Sequence, residues 1–277
     1  MDIVNKARMI AESLKALDIK GISFFGSLGS EHIDKYSDVD IVVFCDKIPD
    51  AGKRKKILDK FTKEMMVNRD RWTQFKIDGK EIVIHFKKIS EIERALRLFS
   101  KKISWFEKDI DTLVYNTRIV YDPKILLRKW KYEVRRYPEW LKKEKLEQIR
   151  FAGSVFEEVF KCLARNNRIW LDFSINYKID YNIMQVLYAL NERYFSASKW
   201  FYTDAKKFKV LPKDCLKRIN HIYSLNNGSQ LVEKMRLIND LIFDTFEICK
   251  KEIPSMKEPT RDRDWCNKKI KEIERFM

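Results

Sequence analysis

The stretch FFGSLGSEHIDKYSDVDIVVF, residues 24–44, decides how the first part of this chain folds. It begins as a strand, is interrupted at Gly26-Ser27, and then places Asp38 and Asp40 at the start of a second apolar run. Side chains two residues apart in a strand point to the same face, so the two carboxylates are expected to lie side by side. Like charges at that spacing repel each other, and a divalent cation beside them relieves the repulsion. The stretch therefore predicts a strand–loop–strand unit that binds a cation.

The chemistry of this unit suits Mg²⁺ together with a phosphate ligand. Mg²⁺ in proteins is usually bound by one or two carboxylates and completed by water and substrate phosphate oxygens. Gly26 permits close approach of a phosphate to the backbone, and Ser27 offers a hydroxyl and an N–H. A short helix beginning at this point would add positive potential from its N-terminus.

The spacing of these residues resembles the motif of the DNA polymerase β-type nucleotidyltransferase superfamily. Gly26-Ser27 is followed after ten residues by Asp38-Val39-Asp40, and Ser37 matches the frequent S-D-x-D form. The resemblance implies that Gly26, Ser27 and Ser37 bind the nucleotide, and that Asp38 and Asp40 hold one or two Mg²⁺ ions. It implies in-line attack of an acceptor hydroxyl on the α-phosphate with loss of pyrophosphate. One departure is the second glycine, which stands at 29 instead of 31.

The superfamily also has a third carboxylate, on a later strand that we match to KEIVIHFKK, residues 80–88. Glu81, Val83 and His85 share one face of this strand, and the third acid is expected where Val83 stands. Glu81 is on the correct face but about 7 Å away along the strand. Glu81 is therefore either a metal ligand or base, or a salt-bridged strand end. His85 is either a phosphate-binding or basic group, or a structural histidine.

The rest of the chain divides into an alternating first half and a helical second half. We predict an α+β protein: a nucleotidyltransferase-type mixed sheet with flanking helices over residues 1–122, then an all-helical bundle over 123–277 that completes the substrate cleft. Asp78-Gly79 predicts a tight hairpin. Predicted helices in the second half are 123–136, 139–165, 181–195, 212–224, 229–251 and 262–276, and the segment 51–67 is predicted as one helix.

The segment ALNERYFSASKWFYTDAKKF, residues 189–208, resembles part of the helical domain of small-molecule nucleotidyltransferases. That resemblance implies that Lys199 reaches the triphosphate and that Asn191 or Tyr194 lines the cleft. The alternative is an amphipathic helix end with Trp200 in the core and Lys199 in water. A catalytic base from the acids at 157–158 is a further candidate, although acids on a helix are usually only solvated.

The chain carries 57 Lys and Arg against 41 Asp and Glu, a formal charge of +16. Cut after residue 122, the first part has a net charge of +4 and the remainder +12. Such an excess favours polyanionic partners, or it is simply a solvated surface. The five cysteines are scattered, which indicates reduced thiols and neither disulfides nor a zinc site. With no apolar run of about 18 residues, we expect no membrane span and a cytoplasmic protein.

The combined pattern predicts an Mg²⁺-dependent nucleotidyltransferase that moves a nucleoside monophosphate, AMP from ATP, to a hydroxyl of a small molecule. The resemblance is to two-domain enzymes that modify aminoglycosides or lincosamides. One alternative acceptor is an RNA 3′ end or a protein, which the basic second half favours. Another alternative is a nucleotide-binding module without turnover, which Val83 permits. Because relatives of this layout often place active sites at dimer interfaces, a homodimer also stays open.

Overall fold

The computed structural model describes residues 3–30, 32–69, 71–195 and 197–277. The chain divides into two compact units, Met1–Arg136 (the N-terminal unit) and Tyr137–Met277 (the C-terminal unit). The N-terminal unit contains a six-stranded mixed sheet with helices, and the C-terminal unit is rich in helix. The predicted α+β class is confirmed, and the arrangement is consistent with a nucleotidyltransferase fold.

The sheet combines one parallel strand pair with antiparallel neighbours. Its strands are β1 (Gly21–Phe25), β2 (Val39–Cys45), β3 (Met65–Val67), β4 (Trp72–Ile77), β5 (Lys80–Lys88) and β6 (Arg118–Tyr121). The spatial order is β3-β4-β5-β2-β1-β6, in which β2 and β5 run parallel and the other neighbours run antiparallel. At the β4–β5 turn Asp78 and Gly79 have φ of 50° and 75°, as a two-residue Asp-Gly hairpin requires.

The helices of the N-terminal unit flank this sheet. They are α1 (Ile3–Leu14), α2 (Gly26–Gly29), α3 (Ala51–Leu58), α4 (Ile89–Ser100), α5 (Glu107–Ile110) and α6 (Leu126–Glu133). A 3₁₀ turn at Ser104–Phe106 precedes α5, and a π-helical turn at Asp111–Tyr115 follows it.

The two faces of the sheet have different environments. Ile41, Val43 and Ile84 are fully buried in the core that α1 closes, because alternate residues of β2 and β5 point to that side. The opposite face carries Asp40 on β2 and His85 on β5, both partly accessible to solvent. We call this second side the site face, since the candidate functional residues lie on it.

Helix α6 covers one end of the site face. The ring of Trp130 packs edge-on against Phe44 at 5.7 Å, and Leu127 lies against Gly21. The segment after residue 122 therefore belongs to the N-terminal unit, and the division between units falls after residue 136. Divided there, the two units have net charges of +9 and +7, so the basic excess is spread over both.

The prediction of one helix over residues 51–67 is wrong in its second half. The helix ends at Leu58, and Met65–Val67 forms edge strand β3, in which Met65 pairs with Phe75. Helix-compatible residues fill this segment, but the free edge of β4 satisfies the backbone N–H and C=O groups of β3. A pairing between distant residues has overridden local propensity here.

The C-terminal unit is built from helices, of which α13 packs against α12 and α14. The helices are α7 (Glu139–Glu147), α8 (Ser154–Ala164), α9 (Arg168–Ile179), α10 (Gln185–Leu190), α11 (Phe201–Ala205), α12 (Cys215–Ser224), α13 (Leu231–Glu252) and α14 (Arg263–Phe276). The predicted apolar stripe of α13 is buried. Within the described ranges of the chain, no helix combines the length and the apolar character needed to cross a membrane.

Several helices of this unit differ from prediction: α11 was not predicted, and the predicted helix 181–195 ends at Leu190. The predicted helix 139–165 is interrupted near Gly153, where an added Cβ would lie 2.9 Å from Arg261 Cβ and 3.1 Å from Cys266 Sγ. Helix α9 was not predicted at all. Its large side chains Ile169, Trp170 and Phe173 are exposed, so its apolar residues do not follow a single buried stripe.

Candidate functional site

The turn after β1 is packed against the carboxylate of Asp40. Phe25 pairs with Asp40 across β1 and β2, and the next residue, Gly26, has a φ of +61°. A Cβ at Gly26 would lie 2.6 Å from Asp40 Oδ2, closer than any side chain can approach. Glycine is required here both for its backbone conformation and for this contact. The structure thus places Gly26 next to Asp40, and their binding of phosphate and metal stays a prediction.

Asp38 lies at the same end of β2, with its carboxylate on the other side. It is exposed, and its Oδ1 accepts a hydrogen bond from the backbone N–H of Glu81 at 3.3 Å. The parallel register pairs Val39 with Ile82, which places Asp38 level with Glu81. The carboxylate of Asp40 therefore faces β1 and that of Asp38 faces β5. The two carboxylates therefore lie on either side of the end of β2.

The strand next to Asp40 carries no acid at the matching position. Val83 pairs directly with Asp40, and Glu81 lies two residues earlier on β5. The Glu81 carboxylate accepts a hydrogen bond from the side-chain amide of Gln74. Gln74 belongs to β4, where it is the pairing partner of Val83. Among the residues that the structure describes, no three His, Cys, Asp or Glu side chains form a group able to hold a metal ion. A catalytic role for Glu81 stays a prediction.

His85 lies on the site face, half-buried and in edge-to-face contact with the ring of Phe25 at 5.4 Å between centroids. Burial lowers the pKa of this imidazole, and the charge of Lys87 lowers it further. His85 is therefore neutral near pH 7, and these surroundings weaken its basicity. Its role as a base stays a prediction.

The lowered pKa of His85 predicts that the protein is less stable in mild acid. Below about pH 6.5 the unfolded chain binds a proton at this residue that the folded chain resists, so the free energy of unfolding falls as the pH falls. His85→Phe should remove this part of the dependence, measured by urea unfolding at pH 7.5 and pH 5. His221→Phe, at a half-exposed histidine of α12, is the control. If His85→Phe leaves the pH dependence unchanged, burial of this imidazole is not its source.

The loop before Asp38 is held by its own hydrogen bonds. The buried hydroxyl of Ser37 accepts from the Asp34 N–H at 2.9 Å and donates to Asp34 Oδ1 at 3.0 Å. The backbone N–H of Tyr36 and the Ser37 hydroxyl lower the pKa of Asp34 by bonding its carboxylate. Lys80 ties the loop to β5 through the carbonyl of Lys35. In this arrangement Ser37 shapes the loop, and its predicted contact with a nucleotide stays a prediction.

Sequence reasoning missed the structural need for glycine at position 29. A Cβ there would lie 2.5 Å from the carbonyl oxygen of Phe24 and 2.9 Å from that of Asn116. Ser30 then closes the single turn of α2, because its hydroxyl donates to the carbonyl of Gly26 at 2.8 Å. The sequence did contain a sign of this need. The chain has seven glycines in 277 residues, and two of them lie in this turn.

Asn191 and Tyr194 in the C-terminal unit have structural roles. The Asn191 amide donates to the carbonyls of Leu187 and Val210, and its oxygen accepts from the Lys209 and Val210 N–H groups. The Tyr194 side chain is almost fully buried, with its ring 5.0 Å from that of Tyr137. These contacts support packing within the unit and do not point to a cleft lining.

The remaining helical candidates are on the surface of the C-terminal unit. Lys199 is exposed, with its ammonium 5.3 Å from the centroid of the Trp200 ring. Its predicted contact with the triphosphate stays a prediction. Glu157 forms ion pairs with Lys161 at 2.9 Å and Arg261 at 3.3 Å, and the Lys161 bond is the main cause of its lowered pKa. A carboxylate with a lowered pKa is a poor general base.

Comparison with known proteins finds a match to one family model and similarity to several solved structures. A family model described as a domain of unknown function, DUF4037, matches residues 105–201. No curated protein matches the chain. Similar solved structures include a nucleotidyltransferase-like protein from Exiguobacterium sibiricum, with 12% identity over 99% of this chain and 80% of that one, at a TM-score of 0.39. An aminoglycoside 6-adenyltransferase from Bacillus subtilis has 16% identity over 98% of this chain and 96% of its own, also at 0.39.

A TM-score of 0.39 is too low to establish a common fold. The function proposed below therefore rests on the residues of the sheet.

Proposed function

We propose that this protein is a nucleotidyltransferase that moves a nucleoside monophosphate, AMP from ATP, to a hydroxyl group of a small molecule and releases pyrophosphate. The observation that carries the proposal is the contact of the Gly26 turn with Asp40, beside Asp38 at the same end of β2. One short region thus combines a turn open to phosphate with two carboxylates. Such a combination would suit phosphoryl transfer, in which carboxylates hold the metal and a glycine turn approaches the phosphates.

The residues present fit Mg²⁺. The donors are two carboxylates, which are hard oxygen ligands, and Gly26 leaves open the space next to Asp40 that a Cβ would fill. Asp38 and Asp40 would hold the ion. When bound, Mg²⁺ would neutralise charge on the phosphates of the substrate.

The chain itself supplies positioning and proton transfer. The backbone at Gly26 and Ser27 would bind the triphosphate, with the loop held in shape by Ser37. A proton leaving the acceptor hydroxyl would pass to Glu81 or to neutral His85, both on the site face of β5. Which of the two accepts it is measurable by assaying Glu81→Gln and His85→Ala separately.

The acceptor in this proposal is a small molecule. An RNA acceptor was favoured by a basic excess concentrated in the second half of the chain. With the division after residue 136, that excess is shared almost equally between the units, so this support is lost. An alternative function, nucleotide binding without turnover, is favoured by Val83 in the place next to Asp40.

The test is pyrophosphate release from each of the four nucleoside triphosphates with Mg²⁺, against a panel of sugars, amino sugars and other small alcohols. We expect release that needs Mg²⁺ and an acceptor and is fastest with ATP. Binding of a fluorescent ATP analogue is measured in parallel. Mg²⁺-dependent binding without release would favour the binding module, and absence of Mg²⁺-dependent binding would overturn the nucleotide site.

A further inference from the structure

A pocket of about 340 Å³ opens at the β3–β4–β5 edge of the sheet. This volume lies at the lower end of the range for small-molecule sites, about 300–1,000 Å³. The side chains that matter for its chemistry are Glu64, Met66, Gln74, Lys76 and Glu81.

The pocket begins one strand away from the two aspartates. Gln74 pairs with Val83, and Val83 pairs with Asp40, so the three side chains belong to the same face of the sheet. Neighbouring strands are about 4.8 Å apart, which puts β5 within reach of a group bound at β2. Glu81 contacts both the aspartates and the pocket. Its backbone N–H donates a hydrogen bond to Asp38, and its carboxylate accepts one from Gln74 at the pocket.

The geometry of nucleotidyl transfer decides which substrate this pocket receives. The bond from the acceptor oxygen to the α-phosphorus forms while the bond to the bridging oxygen of pyrophosphate breaks, and the two oxygens are in line. The acceptor therefore enters opposite the leaving pyrophosphate. The Gly26-Ser27 turn, proposed to bind the triphosphate, lies on the β1 side of Asp40. The acceptor then comes from the β5 side, where the pocket is.

We propose that this pocket is the acceptor site and that it takes a small polyhydroxylated molecule without phosphate groups, neutral or cationic; the inference rests on the proposed function. Glu64 and Glu81 supply two carboxylates against the single ammonium of Lys76, which disfavours an anionic acceptor. Carboxylate and amide groups accept hydrogen bonds from hydroxyl and ammonium groups, and the exposed side chain of Met66 covers an apolar ring face. Of the two candidate bases, Glu81 is the one that lines this pocket, so a proton leaving an acceptor hydroxyl bound here would pass to its carboxylate if Glu81 is the base.

The chain is well suited to a cysteine-protection experiment. All five natural cysteines are buried, and burial raises the pKa of the Cys45 thiol to about 11 and of Cys215, Cys249 and Cys266 to about 12. They should react slowly with maleimides, because the thiolate is the reactive form. Met66→Cys places a reactive thiol at the pocket, at a side chain that is 58% exposed. Met9→Cys on α1, at a residue 49% exposed, is the matched control.

Labelling rates of both variants are measured with Mg²⁺ and a non-hydrolysable ATP analogue, alone and with neutral sugars, amino sugars, glucose 6-phosphate or a short single-stranded RNA. A ligand at about twice its Kd fills about two thirds of the sites, so a neutral or amino sugar should slow labelling of Met66→Cys about threefold. Labelling of Met9→Cys should not change.

Protection of Met66→Cys by glucose 6-phosphate or RNA would overturn the assigned acceptor class. Absence of protection by every probe would overturn the pocket as acceptor site. Both results leave the proposed function standing if the ATP analogue still binds with Mg²⁺. Loss of that binding in the natural chain would instead count against the nucleotide site itself.

Discussion

Asp40→Asn is expected to reduce pyrophosphate release by about 10²–10³-fold or more, the loss seen when one group that stabilises transition-state charge is removed. Asparagine keeps the size of the side chain and its place beside Gly26, but it removes the negative charge that would hold Mg²⁺ next to Asp38. The free energy of unfolding should change by less than about 1 kcal/mol, because the substitution leaves no cavity. Activity is measured by pyrophosphate release and stability by urea unfolding.

The matched control for this variant is Asp46→Asn. Asp46 follows the opposite end of the same strand, where its carboxylate lies 3.3 Å from the Lys20 ammonium on the surface. An exposed pair of this kind contributes about 0–1 kcal/mol, and its loss should leave activity unchanged. Near-normal turnover by Asp40→Asn would show that this carboxylate does not take part in the reaction. Equal losses in both variants would point to a general effect of charge.

Gly29→Ala is expected to destabilise the N-terminal unit by about 1–3 kcal/mol or more, the usual cost of forcing extra volume into a packed site. The new methyl group would meet two backbone carbonyl oxygens, those of Phe24 at 2.5 Å and Asn116 at 2.9 Å. Backbone atoms cannot turn away as a flexible side chain does. The turn between β1 and β2 would have to shift, so nucleotide binding should weaken together with stability.

Gly52→Ala is the control for this prediction. Position 52 lies in the first turn of α3, and an added Cβ would meet only the side chain of Asp50, at 3.0 Å. Alanine is favoured over glycine in a helix by up to about 1 kcal/mol, so this variant should be neutral or more stable. Urea unfolding of both variants measures the difference. If Gly29→Ala unfolds at the same urea concentration as the natural chain, the close approach at this turn is not as tight as described.

Local patterns accounted for the centre of the sheet. The nearly continuous apolar run 39–45 is typical of a buried strand, and the Asp78-Gly79 pair is typical of a tight turn with positive φ. The same holds for Gly26 and Asp40, whose meeting follows once β1 and β2 pair with a short loop between them. These features depend on residues that are near one another in the chain.

Other features depend on pairings that no local pattern specifies. Strand β3 was predicted as helix because its residues suit either state, and the free edge of β4 decided the outcome. Helix α6 was assigned to the helical bundle, but Trp130 packs on Phe44 of the sheet. Asn191 and Tyr194 were candidate ligand contacts, and the structure gives Asn191 hydrogen bonds to the backbone around residues 187–210 and buries Tyr194.

The sequence by itself thus determined the strand–loop–strand unit with its two aspartates, since spacing and side-chain alternation act over a few residues. The tertiary structure alone decided what surrounds them. The parallel pairing of β2 with β5 put Glu81 beside Asp38 and Val83 beside Asp40, and the β4 and β3 strands added the pocket with Gln74. The physical reason is that a strand can satisfy its backbone hydrogen bonds with any compatible neighbour, and only the packing of the whole sheet selects one.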